Sequence, residues 1–310
     1  MSTVRHFTSM DDLTSEETVG LLRLAQRLKA EWNLGIRRKP LESQTLAMIF
    51  EKPSLRTRMT FEVGMEQLGG HAVYLAPSDI QIGKRESVAD VARNLSRWAQ
   101  GIMARTFSHE TVVRLAETAT IPVINALSDY EHPCQALAFG QLVLDRRQEL
   151  EGARVAFVGD GNNVVHSLML LCAKTGMRFA LACPKGYEPD AKLVERCHAL
   201  GLRCSLVHDP VEAVSDADFI YTDVWASMGQ EAEREKRKRD FAGFQVNESL
   251  LAHAPAHALV THCLPAHRGE EITDGVMDGP QCAAFDEAEN RLHVQKAVLL
   301  YLMNHEPLAG

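Results

Sequence analysis

The run Glu51-Lys52-Pro53-Ser54-Leu55-Arg56-Thr57-Arg58 has the make-up of an anion site built at the start of a helix. An apolar stretch, Leu46 to Phe50, leads into it, and a helical pattern from about Arg56 to Leu68 leads away, so Ser54 stands where an N-cap belongs. A helix start leaves backbone N–H groups unpaired and carries the positive end of the helix dipole. Ser54, Thr57 and the guanidinium groups of Arg56 and Arg58 can then converge on a phosphate. The plainer reading of the same residues is a capped helix with exposed arginines.

Four later stretches also carry chemistry. In His132-Pro133-Cys134-Gln135 the proline suits the first position of a helix, and His132 and Gln135, three apart, share a direction. Capping alone explains the proline, and one Cys with one His does not make a zinc site. Asp223-Val224-Trp225-Ala226-Ser227-Met228-Gly229 follows an apolar strand. Its acid suits an ammonium group, and Ser227 with the backbone beyond it suits a carboxylate, although a strand-ending Asp is often only a turn residue. His262-Cys263-Leu264-Pro265-Ala266-His267-Arg268-Gly269 offers either a cysteine activated by basic neighbours or a buried, small, apolar one. Gly159-Asp160-Gly161-Asn162-Asn163 lies between a strand and a helix, as a dinucleotide-binding turn does, but Val164 replaces the third glycine and Cys183-Pro184 stands where an acid is needed. Asn163, at that helix start, offers an amide suited to a zwitterionic amino acid. Gln81, Arg105 and Arg291 are further polar groups near the ends of expected elements.

The elements that must position these residues alternate between strand and helix. Thr14 and Glu17 form a capping box ahead of a helix reaching about Trp32. Strands are expected at 45–51, 71–75, 101–106 and 121–125, with helices at 55–68, 87–99 and 109–118 between them. A long helix over 133–147 follows, then strands at 153–159, 178–183, 203–207, 218–223 and 257–261, with helices at 163–176, 189–200 and 247–253 and a final one at about 287–304. The pattern is α/β: two lobes, each a parallel sheet flanked by helices, joined by one long interdomain helix, with ligands in a cleft beyond the carboxyl ends of strands.

Composition narrows the function. The 310 residues are 45% apolar and 24% charged, as in soluble globular proteins, and the net charge of −8 argues against a general nucleic-acid binder. The mixed-charge run Glu231 to Asp240 reads as a solvated helix face, and residues 226 to 245 as a candidate moving loop. Seven cysteines with no Cys-x-x-Cys pair suit a reducing compartment. Neither a signal-peptide core nor an 18-residue apolar run is present, so a cytoplasmic protein without a membrane partner is expected.

Taken together in this order, the motifs at 54–58, 132–135, 223–229 and 262–265 resemble those of the aspartate and ornithine carbamoyltransferase family, on its ornithine side. The resemblance covers nearly the whole chain. It implies transfer of the carbamoyl group of carbamoyl phosphate to the δ-amine of L-ornithine, with no cofactor or metal. It implies a carbamoyl phosphate domain at 1–147, with the C-terminal helix of 287–310 packing back on it, and an ornithine domain at 148–286. Ser54, Leu55, Arg56, Thr57, Gln81, Arg105, His132, Pro133, Cys134, Gln135, Cys263, Leu264 and Arg291 are the implied carbamoyl phosphate contacts. Asn163, Asp223, Ser227 and Met228 are the implied ornithine contacts, and Arg105, His132, Asp223 and Cys263 the catalytic set. Leu55 departs from the threonine common in relatives, which leaves a backbone N–H there for the phosphate. A homotrimer is also implied, with active sites shared between neighbouring chains and Gln81 reaching across. A carbamoyltransferase for another amine, such as putrescine or N-acetylornithine, and a catalytically silent relative are the alternatives.

Overall fold

The computed structural model describes residues 4–226, 229 and 231–308, with the side chain of Glu231 left out. The chain divides into two compact units, Met1–Gln141 with Glu289–Gly310, and Leu142–Ala288.

The first unit opens with α1 (Ser15–Asn33), capped by the expected Thr14 and Glu17 box. It continues through β1 (Thr45–Phe50), α2 (Leu55–Gln67), β2 (His71–Leu75), the short α3 (Pro77–Ile80), α4 (Val88–Trp98), β3 (Gly101–Arg105), α5 (His109–Thr118), β4 (Val123–Leu127) and α6 (Pro133–Arg147). All strand pairs are parallel, in the order β2-β1-β3-β4. β3 is buried throughout and β1 nearly so, which is why both read as continuous apolar runs rather than alternating ones. Serines cap α2, α4 and α5. β4 starts two residues later than expected because Pro122 has no N–H to give the ladder, although its carbonyl accepts from Ile102 N at 2.8 Å.

The second unit holds β5 (Arg154–Val158), α7 (Asn163–Thr175), β6 (Arg178–Ala182), α8 (Ala191–Ala199), β7 (Arg203–Val207), α9 (Pro210–Val214), β8 (Phe219–Thr222), α10 (Arg234–Asp240), α11 (Glu248–Leu251), β9 (Leu259–His262), α12 (Asp274–Met277) and the start of α13 (Ala284–Met303). Its parallel sheet runs β7-β6-β5-β8-β9. The expected strand at 257–261 begins later, after a turn in which Ala258 N donates to the Pro255 carbonyl at 2.9 Å. The rest of α13 belongs to the first unit, where Lys296 Nζ donates to Gln67 at 2.9 Å and the Tyr301 hydroxyl to Glu17 at 2.9 Å. Among the described residues no helix is long and apolar enough to cross a membrane.

The strand orders carry a consequence for ligands. In each sheet the chain reverses its direction of travel once, between β1 and β3 in the first unit and between β5 and β8 in the second. Beyond the carboxyl ends of such strand pairs the connections diverge to opposite faces and leave a crevice. Glu51–Ser54 and Arg105 lie at the first of these ends, and Asp160–Asn162 and Asp223 at the second.

Candidate active site

In the first unit, β1 delivers the chain to Ser54, whose side chain accepts from Thr57 N at 3.3 Å and caps α2. The ends of β1 and β3 are tied by Glu51, which donates its N–H to the Arg105 carbonyl at 2.9 Å and accepts from Phe107 N at 2.7 Å. Thr57 Oγ1 then receives two guanidinium groups, Arg105 at 3.5 Å and Arg291 from α13 at 3.3 Å. A hydroxyl accepting twice directs its own hydrogen elsewhere, so Thr57 becomes an oriented donor. Arg291 also donates to Gln135 Oε1 at 2.5 Å, which fixes the orientation of that amide. Thr57, Arg105, Gln135 and Arg291 are all buried.

His132 is buried among cations. Burial, then Arg291, Arg105, Lys52 and Arg56 in turn, hold its pKa well below the ordinary histidine value, so it is a neutral imidazole. Lys52, not assigned a role from sequence, is also buried, with its ammonium 5.0 Å over the Phe107 ring. Burial and then the charge of Arg105 bring its pKa down to about 8. The Cys134 thiol, on the first turn of α6, is pushed up to about 12 by burial and is inert. Leu55 and Gln81 are exposed, and Gln81 caps α3 in a left-handed conformation (φ 44°).

In the second unit, Asp223 follows β8 and Cys263 follows β9. The Asp223 carboxylate accepts from Cys263 Sγ at 2.8 Å, from Asn162 Nδ2 at 2.9 Å and from its neighbour Val224 N at 2.8 Å. Those bonds fill three of roughly four lone-pair sites, which leaves capacity for an incoming ammonium. Asn162 thus places its amide at the acid, and it also caps α7. Asn163 is the first helical residue.

His262 shapes the adjoining loop. Leu264 N donates to its Nδ1 at 2.8 Å, so Nε2 bears the proton and donates to buried Glu271 at 3.0 Å. Leu264 sits at φ 57° ahead of a cis bond to Pro265. With both imidazole nitrogens engaged, His262 is not placed to take a proton from Cys263, and of the two readings open for this thiol the geometry shows a donor to Asp223. The same engagement makes the Asp223, His262 and Cys263 group, whose donor atoms lie within 4.8 Å of one another, a poor metal site.

The charge run is also partly corrected. Arg237 of α10 is buried, donating to Asp160 at 2.7 Å and to the Trp225 carbonyl at 2.8 Å, so the helix is anchored at the end of β5 rather than wholly solvated. Gly161 has a packing reason, since a Cβ there would stand 2.4 Å from Pro189 N. The chain at 187–189 thus fills the space over a turn that sequence likened to a dinucleotide site. Ser227 and Met228 lie outside the described residues.

Comparison with known proteins decides the family. Residues 5–139 match the carbamoyl-P binding domain of the aspartate/ornithine carbamoyltransferases, and residues 151–302 match the Asp/Orn binding domain. The chain belongs to the aspartate/ornithine carbamoyltransferase family. An ornithine carbamoyltransferase of Methanosarcina acetivorans is 54% identical over 96% of this chain and 99% of its own. One from Thermococcus kodakarensis is 52% identical over 96% of both. The ornithine carbamoyltransferase structure from Pyrococcus furiosus superposes with a TM-score of 0.95 at 50% identity, covering 99% of this chain and 100% of that one. Within this family frame, the residues that sequence reasoning left without a role are Lys52, Asn162 and Glu271. Lys52 stood in the quoted anion motif, and Asn162 in the helix-start motif. Glu271 left no local signal, because it acts only through the fold.

Proposed function

We propose that the chain transfers the carbamoyl group of carbamoyl phosphate to the δ-amine of L-ornithine, giving L-citrulline and phosphate. The observation that carries this reading is the buried meeting of Arg105 and Arg291 on Thr57, beside a Ser54-capped helix start and a neutral His132. Such a group is built for a compact dianion whose carbonyl oxygen gains charge during the reaction. Ser54, Arg56, Arg291 and the first N–H groups of α2, Leu55 included, hold the phosphate. Arg105, Thr57 and His132 donate to the carbonyl oxygen as the amine adds, each well-placed donor contributing about 3–4 kcal/mol. A neutral imidazole donates there without adding to the local positive charge. Gln135 orients the carbamoyl amide, with Pro133, Cys134, Cys263 and Leu264 as further contacts.

On the acceptor side Asp223 takes the ammonium, seated by Asn162 and Cys263, and Asn163, Ser227 and Met228 contact the rest of ornithine. The leaving phosphate accepts the proton of the attacking amine, so the step balances without a dedicated base. Exposed Gln81 completes the site of a neighbouring chain in a homotrimer. Leu55 and Met59, one turn apart on α2 and 73% and 48% exposed, support a covered face there. Sedimentation equilibrium checks that assembly. Carbamoyl phosphate supplied with ornithine, putrescine or N-acetylornithine in turn tests the reaction. Phosphate and ureido product should form fastest with ornithine, and a faster rate with either other amine would overturn the assignment.

A further inference from the structure

At the opposite ends of the second unit's strands lies a feature the reaction does not use. The first residues of β5, β6 and β7 are Arg154, Arg178 and Arg203, and they are paired in register, Arg154 with Arg178 and Arg178 with Arg203. Residues paired across a parallel sheet point to the same face, about 4.8 Å from strand to strand. Three guanidinium groups therefore stand in a row along the amino edge of the sheet. They line an open cavity of about 430 Å³.

The cavity exists because its walls are small. Ala180 and Ser205 follow two residues along from Arg178 and Arg203 on the same face, and Ala213 and Ala217 come from α9 and the turn after it. The charge there is one-sided. Asp216 is the acid that lines the cavity, and it sits 3.5 Å from Arg154, with the carboxylate largely exposed. Among the described residues, Arg178 and Arg203 form no ion pair. Such a concentration of cations is unusual in a chain whose net charge is −8. Exposed like charges held in register repel one another unless something bridges them. At that strand spacing the row runs about 10 Å from β5 to β7, longer than one phosphate. A row of three calls for an anion extended along the row.

We propose that this cavity binds a linear polyphosphate chain, free or carried on a nucleoside, with Arg178 and Arg203 as its main contacts and Arg154 at one end. The cavity volume lies within the range of small-molecule sites and exceeds what a bare phosphate needs. It is separate from the candidate active site, since five-residue β5 places about 13 Å of strand between Arg154 and Val158, beyond which Asp160 and Asn162 begin.

Calorimetric titration of the full chain with tripolyphosphate, adenosine triphosphate and inorganic phosphate tests the proposal. Tripolyphosphate should bind more tightly than phosphate. The double substitution Arg178→Ala with Arg203→Ala should weaken it by about tenfold or more, as loss of two charge-assisted contacts implies. Arg56→Ala, at the other anion site, should leave this binding in place. The milder Arg203→Gln should weaken it in part, and neither the Arg178 and Arg203 double variant nor Arg203→Gln should alter the melting temperature or the rate of citrulline formation. A nucleotide tighter than tripolyphosphate would put the base in the cavity, and equal affinities would make the phosphate chain the whole ligand; both support the site. Equal binding of tripolyphosphate by the double variant, or binding no tighter than that of phosphate, would overturn it.

Discussion

The two units gather opposite charges at the carboxyl ends of their sheets. The first gathers fixed cations, Lys52, Arg56, Arg105 and Arg291, around helix starts and one buried neutral imidazole. The second presents one carboxylate, Asp223, held by a thiol, an amide and a backbone N–H. Both sit at the point where their sheet's strand order reverses, so the same architectural device gathers cations in one unit and a carboxylate in the other. The difference is in redundancy. Charge in the first unit is spread over several groups, whereas in the second the three bonds converge on a single carboxylate.

Four measurements can break or sharpen that contrast. The largest effect is expected from Arg105→Ala, which removes a donor to the developing oxyanion and should cut citrulline formation on the order of 10³-fold. A loss below tenfold would mean that the other cations cover for it and that Arg105 is not at the reacting carbonyl. Asp223→Asn keeps the shape but removes the charge. It should lower kcat/KM for ornithine about 10²-fold while leaving carbamoyl phosphate binding close to that of the unaltered chain. Equal losses for both substrates would erase the division of labour between the units.

Cys263→Ala separates an aiming thiol from a nucleophile. About a tenfold drop in kcat/KM for ornithine is expected, from one lost hydrogen bond to a charged group. Complete loss of turnover, with a carbamoylated thiol seen by mass spectrometry in the unaltered chain, would restore the covalent reading. The smallest effect is a pH dependence. Lys52 is charged below its pKa of about 8 and neutral above it, so free-enzyme kcat/KM for carbamoyl phosphate should fall as pH rises through that value. Lys52→Gln should flatten the fall. His132, already neutral near pH 6.5, should add no inflection there.

Much of this was readable along the chain. Helices α5 and α6 and strand β7 run over the residues that their patterns and end signals predict, because caps, proline positions and periodicity act over a turn or two of backbone. Ser54 as the cap of α2 and Asp223 at the end of β8 were legible for the same reason. Short elements such as α9 were passed over although Asp209 and Pro210 mark its start, since five residues carry too little periodicity to stand out. The buried Arg237 was hidden in a run whose alternating charges resemble any solvated face.

The sequence by itself determined which residue types were present and where helices and strands begin, since those depend on hydrogen bonds between near neighbours. Only the tertiary structure decided that Arg105 and Arg291 meet on Thr57, that Asn162 donates to Asp223, and that Cys263 is a donor. Strand order and helix docking bring together groups as far apart in the chain as Thr57 and Arg291, and no spacing between residues records that distance in space. The arginine row at 154, 178 and 203 has the same origin, for three separate strands must align before their charges add.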